Sequence, residues 1–553
     1  MAVTLAQSTA PGRATTSGEL SSRAAAEAYV GGVCFKLGPP ALIGAELEWL
    51  TVQGECSAAG PAAAPRPQLA AIAAALGPYA PRSIAPDSPA HPLPGGSRVT
   101  IEPGGQIELS SAPYATAAQL CERLGGDARH LRELLGSRAI RTVAGAADAD
   151  RRAKRMLRLP RYHAMEQSFG GIGPFGKLMM CNTAATQVSV DAGADRAEVA
   201  ARWTMTYTVG PALLAAFACS PALRGVPVGA WASQRMRTWL RLDTARTRPP
   251  AETWSDPIES YSRWALDVPL LCVRQPERMG AADARGRNGA AEPRRGADRS
   301  GSRDCAGGFD SADVAGTRHS GGDSDSANSA EARHGGDASD SANSAEVRSR
   351  AGGFGIDSAD GAHFRNGAGG PRSGSADGGG GGEAGVSWAA PPGATFADWL
   401  SGALDDEIGR RPEPADLDYH LTTLFPPVRA AGHLEIRYLD AQPEHCWTTP
   451  ILAVEALMSS PAVVAEATAL AAPTAGRWLE AARHGLADPD IRTAAVDLLA
   501  LAAAHAETRA AATALDDAAR RCRRGQAPRP DPRSDTPRAE PQSTPTTSRG
   551  GRP

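Results

Sequence analysis

The sequence predicts an α+β fold, in which an antiparallel sheet with one polar, carboxylate-bearing face is backed by helices. Three observations support this prediction. Four separate segments alternate apolar and polar residues with a period of two, as half-buried antiparallel strands do. Alanine-rich helical segments follow near the end of the chain. Between them, a long stretch that is poor in large apolar residues divides the ordered-looking sequence into two parts.

The four alternating segments are the predicted strands, at residues 43–50, 99–110, 183–191 and 433–439. The second is predicted to be a hairpin, because Pro103, Gly104 and Gly105 form a turn signal between its halves. In each segment the apolar side chains face one side and the polar side chains the other. The polar faces carry Glu46, Glu48, Glu102, Gln106, Glu108, Thr183, Gln187, Ser189, Asp191, Glu435 and Arg437.

Helices are predicted mostly in the late part of the chain, where alanine is abundant. Asp488 followed by Pro489 is a typical helix start, because the Asp side chain caps free backbone N–H groups and proline fits the first turn. We therefore predict one helix from this point to about His505 and another over 509–523, which ends before Gly525.

The length of 553 residues would accommodate three or four domains, but the composition favours one body. Gly, Ser, Asp, Ala and Arg dominate residues 275–390, which contain the near-repeat DSANSAEAR (325–333) and DSANSAEVR (340–348). Such a segment cannot bury enough apolar surface to offset its ordering entropy. We expect five segments along the chain. They are a disordered N-terminus (1–20), a first part of the body (21–274), a disordered insert (275–390), a second part of the body with C-terminal helices (391–525) and a disordered tail (526–553).

Charge and cysteine usage narrow the class of protein. The 58 Lys and Arg residues balance 61 Asp and Glu residues, a formal net charge of −3, so neither a nucleic acid nor a membrane is an expected partner. Nine scattered cysteines without a CxxC pair favour reduced thiols over disulfides or a zinc site. No signal peptide is evident, and no apolar run reaches about 18 residues. The expected location is the cytoplasm; the oligomeric state is left open.

The chemical signal is the concentration of acids on the polar strand faces. Converging carboxylates raise each other's pKa unless a cation neutralises them. Oxygen ligands without His or Cys suit Mg²⁺ or Mn²⁺, and protein-bound Mg²⁺ commonly shares substrate phosphates, which favours nucleotide chemistry. Ordinary solvated strand faces are equally compatible with the pattern, because convergence in space cannot be seen in a sequence.

Eight collinear segments resemble the glutamate–cysteine ligase family, especially its plant and actinobacterial branch. They are GAELEWL (44–50), IEPGGQIELSSAP (101–113), RYHAM (161–165), LMMCNTAATQVSVD (178–191), SQRMRTWLRLDTART (233–247), YSRWALDVP (261–269), HLTTLFPPVR (420–429) and HLEIRYLDAQP (433–443). The YLDAQP ending is most similar to the actinobacterial enzyme that supplies ergothioneine synthesis.

The resemblance implies a glutamine-synthetase-like fold, whose curved antiparallel sheet forms a funnel, and an ATP-dependent ligation. In the family's reaction, the γ-carboxylate of L-glutamate takes the γ-phosphoryl group of ATP. The amine of L-cysteine then displaces phosphate and gives γ-glutamylcysteine. The expected ligands are L-glutamate, L-cysteine, ATP and Mg²⁺ (or Mn²⁺). Two alternatives stay open: another carboxylate–amine ligase with a different acceptor, and a degenerate scaffold that acts through its insert.

The resemblance also implies roles for individual residues. The expected metal ligands are Glu46, Glu48, Glu102, Glu108, Gln187 and Glu435. Arg437 would stabilise the transferring phosphoryl group, with Glu102 as a second catalytic residue. Arg235 would bind the α-carboxylate of glutamate, and Thr183 would supply a hydroxyl there. Arg246 is a candidate substrate contact and Arg429 a candidate nucleotide contact, with a structural ion pair as the alternative for each.

Overall fold

The computed structural model describes residues 20–54, 64–143, 145–226, 229–248, 255–274, 387–444 and 446–529. All of them belong to one compact unit. Most of the predicted disordered N-terminus, insert and tail lies outside the described residues, at 1–19, 275–386 and 530–553.

The centre of the fold is a seven-stranded sheet among the described residues, with the order β2-β3-β1-β5-β9-β8 and with β4 also paired to β1. Every pairing in it is antiparallel. Its strands are β1 (Ile43–Gln53), β2 (Arg98–Ile101), β3 (Ile107–Ser110), β4 (Ile140–Val143), β5 (Ala185–Val190), β8 (Val428–Ala430) and β9 (Leu434–Asp440). The predicted antiparallel sheet of an α+β fold is confirmed.

A separate two-stranded sheet pairs β6 (Cys272–Arg274) with β7 (Ser387–Ala389). Because β7 lies within the last residues assigned to the insert, ordered structure resumes before the predicted boundary at residue 391.

The register of the large sheet brings its polar residues onto one face. Glu46 lies opposite Gln187, and Glu48 lies opposite Glu108. Directly opposite residues of antiparallel strands share a face. The acids of β1 and β3 therefore meet Gln187 of β5 on one surface.

Eighteen helices are described. They are α1 (Arg23–Cys34), α2 (Leu69–Leu76), α3 (Ala117–Gly136), α4 (Pro160–Ile172), α5 (Phe175–Asn182), α6 (Arg196–Thr208), α7 (Gly210–Phe217), α8 (Gln234–Leu240), α9 (Thr244–Thr247), α10 (Pro257–Asp267), α11 (Phe396–Ser401), α12 (Asp405–Ile408), α13 (Pro414–Leu421), α14 (Thr448–Leu457), α15 (Pro461–Ala471), α16 (Trp478–His484), α17 (Pro489–Ala504) and α18 (Arg509–Arg523).

The two predicted late helices are confirmed as α17 and α18, and the Asp488 side chain caps α17 as expected. The prediction that helices lie mostly late is wrong, since α1–α10 precede residue 268. In α7 all eight residues are buried, so this helix carries no amphipathic period in its sequence.

Helices cover the two faces of the sheet differently. Helices α3, α7 and α14 contact strands β1, β9 and β5 and are followed outward by α17 and α18. On the polar face, α4, α5 and α8 contribute side chains around a cavity. This layering encloses the acids, so the polar face is the floor of a site rather than a solvated surface.

No helix among the described residues is by itself long and apolar enough to cross a membrane; α14 and the segment Pro461–Thr474 meet that test only as a pair, across a 111° bend. The cysteines in the described part of the chain are free thiols.

Candidate active site

A cavity of about 130 Å³ lies over the polar face of the sheet. The strands form its floor, and α4, α5, α8 and the 422–425 loop form its walls. It is lined by Glu46, Glu48, Glu102, Pro103, Gln106, Glu108, Arg161, Tyr162, Met165, Met179, Met180, Thr183, Gln187, Arg235, Trp239, Thr422, Phe425, Arg429 and Arg437.

Three glutamates on β1 and β3 form the acidic floor, and their oxygens share a small set of donors. The side-chain amide of Gln187 donates to Glu46 at 2.9 Å and to Glu48 at 3.1 Å. The Ser110 hydroxyl donates to Glu46 at 3.1 Å. On β3, Glu108 accepts from the Thr100 hydroxyl at 2.6 Å. The carboxylates are thus held in place by neutral donors.

The environment of these three carboxyls raises their pKa. Burial raises the pKa of Glu48 to about 7. Burial and then the charge of Glu48 raise the pKa of Glu108 to about 7 as well. Burial, with repulsion from Glu108 and Glu435, holds the pKa of Glu46 well above its usual range. A cation at this floor would replace protons as the neutralising charge.

The floor fits a hard divalent cation by donor chemistry. All the candidate ligands are oxygens, as Mg²⁺ prefers. The Oε1 atom of Gln187 is buried without a hydrogen-bond partner, while the Nε2 atom of the same amide donates to both β1 glutamates. Within the described residues, no three carboxylate, imidazole or thiol groups form a preassembled metal centre. A cation that bound the Glu46 and Glu48 oxygens would take over from the Gln187 amide nitrogen as the partner of both carboxylates.

Glu435 has a different setting from the other glutamates. One of its oxygens accepts from Arg429 Nε at 2.7 Å and the other from an Arg437 guanidinium nitrogen. Although burial opposes it, the two guanidinium charges hold the pKa of Glu435 at about 2. Its side chain is 1% exposed and does not line the cavity, whereas both arginines do. Its place among the metal ligands stays an expectation of the family resemblance; from these contacts we propose that its oxygens orient the two arginines instead.

Arg235 and Arg437 form a pair against one aromatic ring. Arg235 donates to the Arg437 carbonyl oxygen at 2.7 Å. The guanidinium carbons of Arg235 and Arg437 lie 5.2 Å and 5.4 Å from the centre of the Trp239 ring, within cation–π range. The indole N–H of Trp239 donates to the Phe425 carbonyl, which fixes the ring. Trp239 is therefore both a buried residue and part of the cavity wall.

Glu102 and Thr183 reach the cavity from two segments that are tied together. Glu102 follows β2, immediately before a turn that presses against α5: a Cβ atom on Gly104 would lie 2.3 Å from the Cys181 carbonyl oxygen. The Gln106 amide donates to the Thr183 carbonyl at 2.8 Å. The Thr183 hydroxyl donates back to α5, to the carbonyl of Met179, at 2.7 Å.

Arg246, like Glu435, is a predicted site residue that does not line the cavity. Its guanidinium is 1% exposed and donates to Asp243 at 2.9 Å. It also donates to the carbonyls of Thr423 and Pro269, at 2.9 Å and 2.6 Å. These contacts match the alternative of a structural ion pair that the sequence left open for this residue.

The cavity also contains residues that strand patterning missed. Arg161, Tyr162 and Met165 on α4 belong to a helix, so period-two alternation could not find them. Arg161 donates to the hydroxyl and the carbonyl of Thr422, at 2.6 Å and 3.0 Å, and joins α4 to the 422–425 loop. The signal available in the sequence was the RYHAM segment of the family resemblance.

The cavity combines a carboxylate floor with two arginines that share one glutamate and with a third, buried arginine. This combination is typical of an enzyme that binds several anionic groups in one cavity. The chain belongs to glutamate–cysteine ligase family 2 (GCS2), whose sequence profile matches residues 42–529.

Individual relatives agree with this membership. The chain is 30% identical over 418 residues to the glutamate–cysteine ligase EgtA of Mycolicibacterium smegmatis. The aligned region covers 75% of this chain and 72% of the relative. EgtA of Mycobacterium tuberculosis is also 30% identical, over 420 residues, with the same coverage. The chloroplastic glutamate–cysteine ligase of Medicago truncatula is 29% identical over 183 residues, 32% of this chain and 36% of that protein.

Proposed function

We propose that this protein joins the γ-carboxyl group of L-glutamate to the amine of L-cysteine with hydrolysis of ATP to ADP and phosphate. The observation that supports this most directly is the cavity itself, where three carboxyls of raised pKa lie beside arginines on neighbouring strands. The EgtA relatives are named glutamate–cysteine ligases, and this chain matches them over most of their length. We also propose that the sheet and the helices over its polar face form the glutamine-synthetase-like funnel.

The proposed reaction has two steps. An oxygen of the glutamate γ-carboxylate attacks the γ-phosphorus of ATP, and ADP leaves with the electrons of the broken P–O bond. The amine of cysteine then attacks the γ-carbonyl carbon, phosphate leaves, and the amine releases a proton. Both steps gather negative charge in the cavity, so positioning and charge neutralisation supply most of the catalysis.

The acidic floor would bind the complex of the metal ion with ATP. Glu46, Glu48 and Glu108 would hold Mg²⁺ or Mn²⁺, with Glu102 and the Oε1 atom of Gln187 as additional oxygen donors. When bound, the ion would neutralise charge on phosphate oxygens.

The arginines would bind the groups that carry negative charge during transfer. Arg437 and Arg429 would contact the phosphoryl oxygens, because Glu435 fixes both guanidinium planes beside the floor. Arg235 would pair with the α-carboxylate of glutamate, with the Thr183 hydroxyl nearby.

The cavity wall formed by α4, α5 and the 422–425 loop suits an amine acceptor with a small, polarisable side chain. Met165 on α4, Met179 and Met180 on α5 and the ring of Phe425 line this part of the cavity. A thiol is weakly polar and is readily accepted by such a wall, whereas a hydroxyl loses more hydration. Arg161 on the same side would attract the carboxylate of an amino acid acceptor. We infer further, from the YLDAQP segment and the EgtA relatives, that the product supplies ergothioneine synthesis.

An ADP-release assay with purified protein, ATP and Mg²⁺ tests the proposal. We expect ADP only when glutamate and an amine acceptor are both present, and fastest release with cysteine. Alanine and 2-aminobutyrate are the matched acceptors without a thiol. Equal rates with all three would contradict cysteine specificity and favour another acceptor, and ADP release without glutamate would contradict the ligase reaction.

A further inference from the structure

A buried carboxylate that the proposed mechanism does not use lies at the end of β9. Asp440 is 2% exposed, and its two oxygens accept three hydrogen bonds. The donors are the Ser233 hydroxyl at 2.8 Å, the Ser220 hydroxyl at 2.7 Å and the backbone N–H of Cys219 at 2.9 Å. Asp440 does not line the cavity, so its influence on the reaction must pass through these partners or through its negative charge, which favours the charged form of the Arg235 guanidinium.

The two serines connect Asp440 to the first turn of α8 by hydrogen bonds. Each hydroxyl has one proton and directs it to Asp440, which leaves oxygen lone pairs for backbone donors. The Ser233 oxygen caps α8 and accepts from Met236 N–H at 3.0 Å. The Ser220 oxygen accepts from Arg235 N–H at 3.3 Å. The carboxylate therefore fixes the direction of both hydroxyls and, through them, the start of the helix.

Arg235 is the first-turn residue whose side chain depends on that placement. Its guanidinium is almost fully buried, contacts the Trp239 ring and donates to the carbonyl of Arg437. Arg437 lies three residues before Asp440 on β9. The helix is thus fastened to one strand at two points, once by the carboxylate and its serines and once by the guanidinium.

We propose that Asp440 is a positioning residue for glutamate recognition, which acts by orienting Ser220 and Ser233 so that α8 presents Arg235 to the substrate α-carboxylate. This inference rests on the role given to Arg235 under the proposed function. An asparagine at position 440 would keep the size of the side chain. Its amide nitrogen, however, can only donate, so one serine would have to accept from it, and the hydroxyl proton of that serine would lose the acceptor that fixes its direction.

Steady-state kinetics of Asp440→Asn test the proposal in the full chain. We expect the KM for glutamate to rise by about tenfold while the KM for ATP stays within about twofold, since a uniform structural defect would not separate the two substrates. Asp416→Asn is the matched control: Asp416 is a buried carboxylate that accepts two bonds from Arg410 and one from the backbone N–H of Glu413, and it does not line the cavity. It is expected to lower the Tm without changing either KM.

A double-mutant cycle shows whether Asp440 acts through Arg235. Arg235→Lys alone should raise the KM for glutamate, and adding Asp440→Asn to it should raise that KM little further. If Arg235→Lys leaves the KM unchanged, the glutamate subsite is wrong and this inference falls with it. If Arg235→Lys raises the KM and Asp440→Asn does not, or if the two effects are fully additive, only the role of Asp440 is overturned.

Should Asp440→Asn fail to fold, Ser233→Ala removes one link of the chain and should give the same separation of the two KM values. Its control is Ser460→Ala, which removes an equivalent cap from α15, where Ser460 accepts from Val463 N–H at 3.3 Å. Equal effects of the two serine variants on the KM for glutamate would overturn the proposal.

Discussion

Two buried glutamates on the same face of the sheet have opposite electrostatic settings. Glu46 faces other carboxyls, and its pKa lies well above the usual range because burial and repulsion act together. Glu435 is less exposed than Glu46, but Arg429 and Arg437 hold its pKa at about 2. The strand register contributes to this difference, because it places the uncharged Gln187 opposite Glu46 and the charged Arg429 opposite Glu435. A cation should therefore be needed at the first site and not at the second.

Substitution of each glutamate by glutamine separates these two settings. Glu46→Gln should raise the Mg²⁺ concentration needed for half-maximal activity by about tenfold or more, because a proposed ligand is lost. Glu435→Gln should instead lower kcat by roughly a hundredfold and leave the Mg²⁺ requirement unchanged, because it releases two arginines. The measurement is a Mg²⁺ titration of ADP release at saturating substrates.

The stabilisation of each variant by Mg²⁺ and ATP, measured as the shift in Tm, gives a readout independent of turnover. Glu46→Gln should lose most of that shift and Glu435→Gln should keep it. Equal losses in both variants would contradict the distinction and return Glu435 to the metal ligands.

At the scale of elements, the sequence predicted those strands whose alternation is long enough to be seen. The prediction of 43–50 found β1, yet the strand continues to Gln53, where it pairs with β4. Strand β4 has four residues, and β6, β7 and β8 have three each, which is too short for a period of two to stand out. Helix α7 was missed for a different reason, since burial on all sides leaves no polar face.

The sequence predicted those residues of the candidate site whose position depends only on the strand face to which the side chain points. Alternation placed Glu46, Glu48 and Glu108 on one face, and the pairing of strands then brought them together. Arg246, by contrast, donates to the carbonyls of Thr423 and Pro269, which are distant from it in sequence. No local pattern encodes such contacts, so the division between catalytic and structural arginines required the tertiary structure.

A buried histidine on α13 makes the stability of its surroundings depend on pH. His420 stacks on Phe396 and shares a 2.7 Å hydrogen bond with the carbonyl of Ala265. Burial lowers its pKa to about 4, against about 6.5 in the unfolded chain. Between these values the unfolded chain binds more protons, so the group destabilises the fold as pH falls from about 6.5 to about 4.

His420→Gln should flatten the acid limb of the stability curve. The free energy of unfolding of the native protein should fall more steeply than that of the variant, by up to about 1.4 kcal/mol per pH unit over this interval. Denaturant unfolding at pH 4.5, 5.5, 6.5 and 7.5 measures the difference. The control is His505→Gln, at an exposed position after α17. Parallel curves for His420→Gln and the native protein would refute the assignment.

At the scale of the whole molecule, the two described parts of the chain build one sheet. Strand β5 precedes residues 275–386 and β9 follows them, and the two strands pair from Ala185↔Asp440 to Val190↔Leu434. The polar face therefore needs both parts, since Glu46 and Gln187 come from the first and Arg437 from the second. Neither part alone can form the cavity.

The intervening segment leaves and re-enters the described structure at neighbouring points. Arg274 and Ser387 are opposite each other in the pairing of β6 with β7. We propose that residues 275–390, apart from β7, are an insert that the fold does not require. A short connection could close this two-stranded sheet as an ordinary hairpin does.

Deletion of residues 280–385 should therefore leave a folded, active enzyme. The closure entropy of a loop falls by roughly 0.6 kcal/mol for each halving of its length, so the stability should be kept or slightly increased. We expect kcat and both KM values within about twofold of the full chain, since no described cavity residue is removed. A variant that replaces 280–385 by a Gly/Ser linker of equal length separates the effect of sequence from that of length. An insoluble or inactive deletion protein alongside an active linker variant would mean that the connection needs its length; failure of both would mean that the segment itself supports the fold.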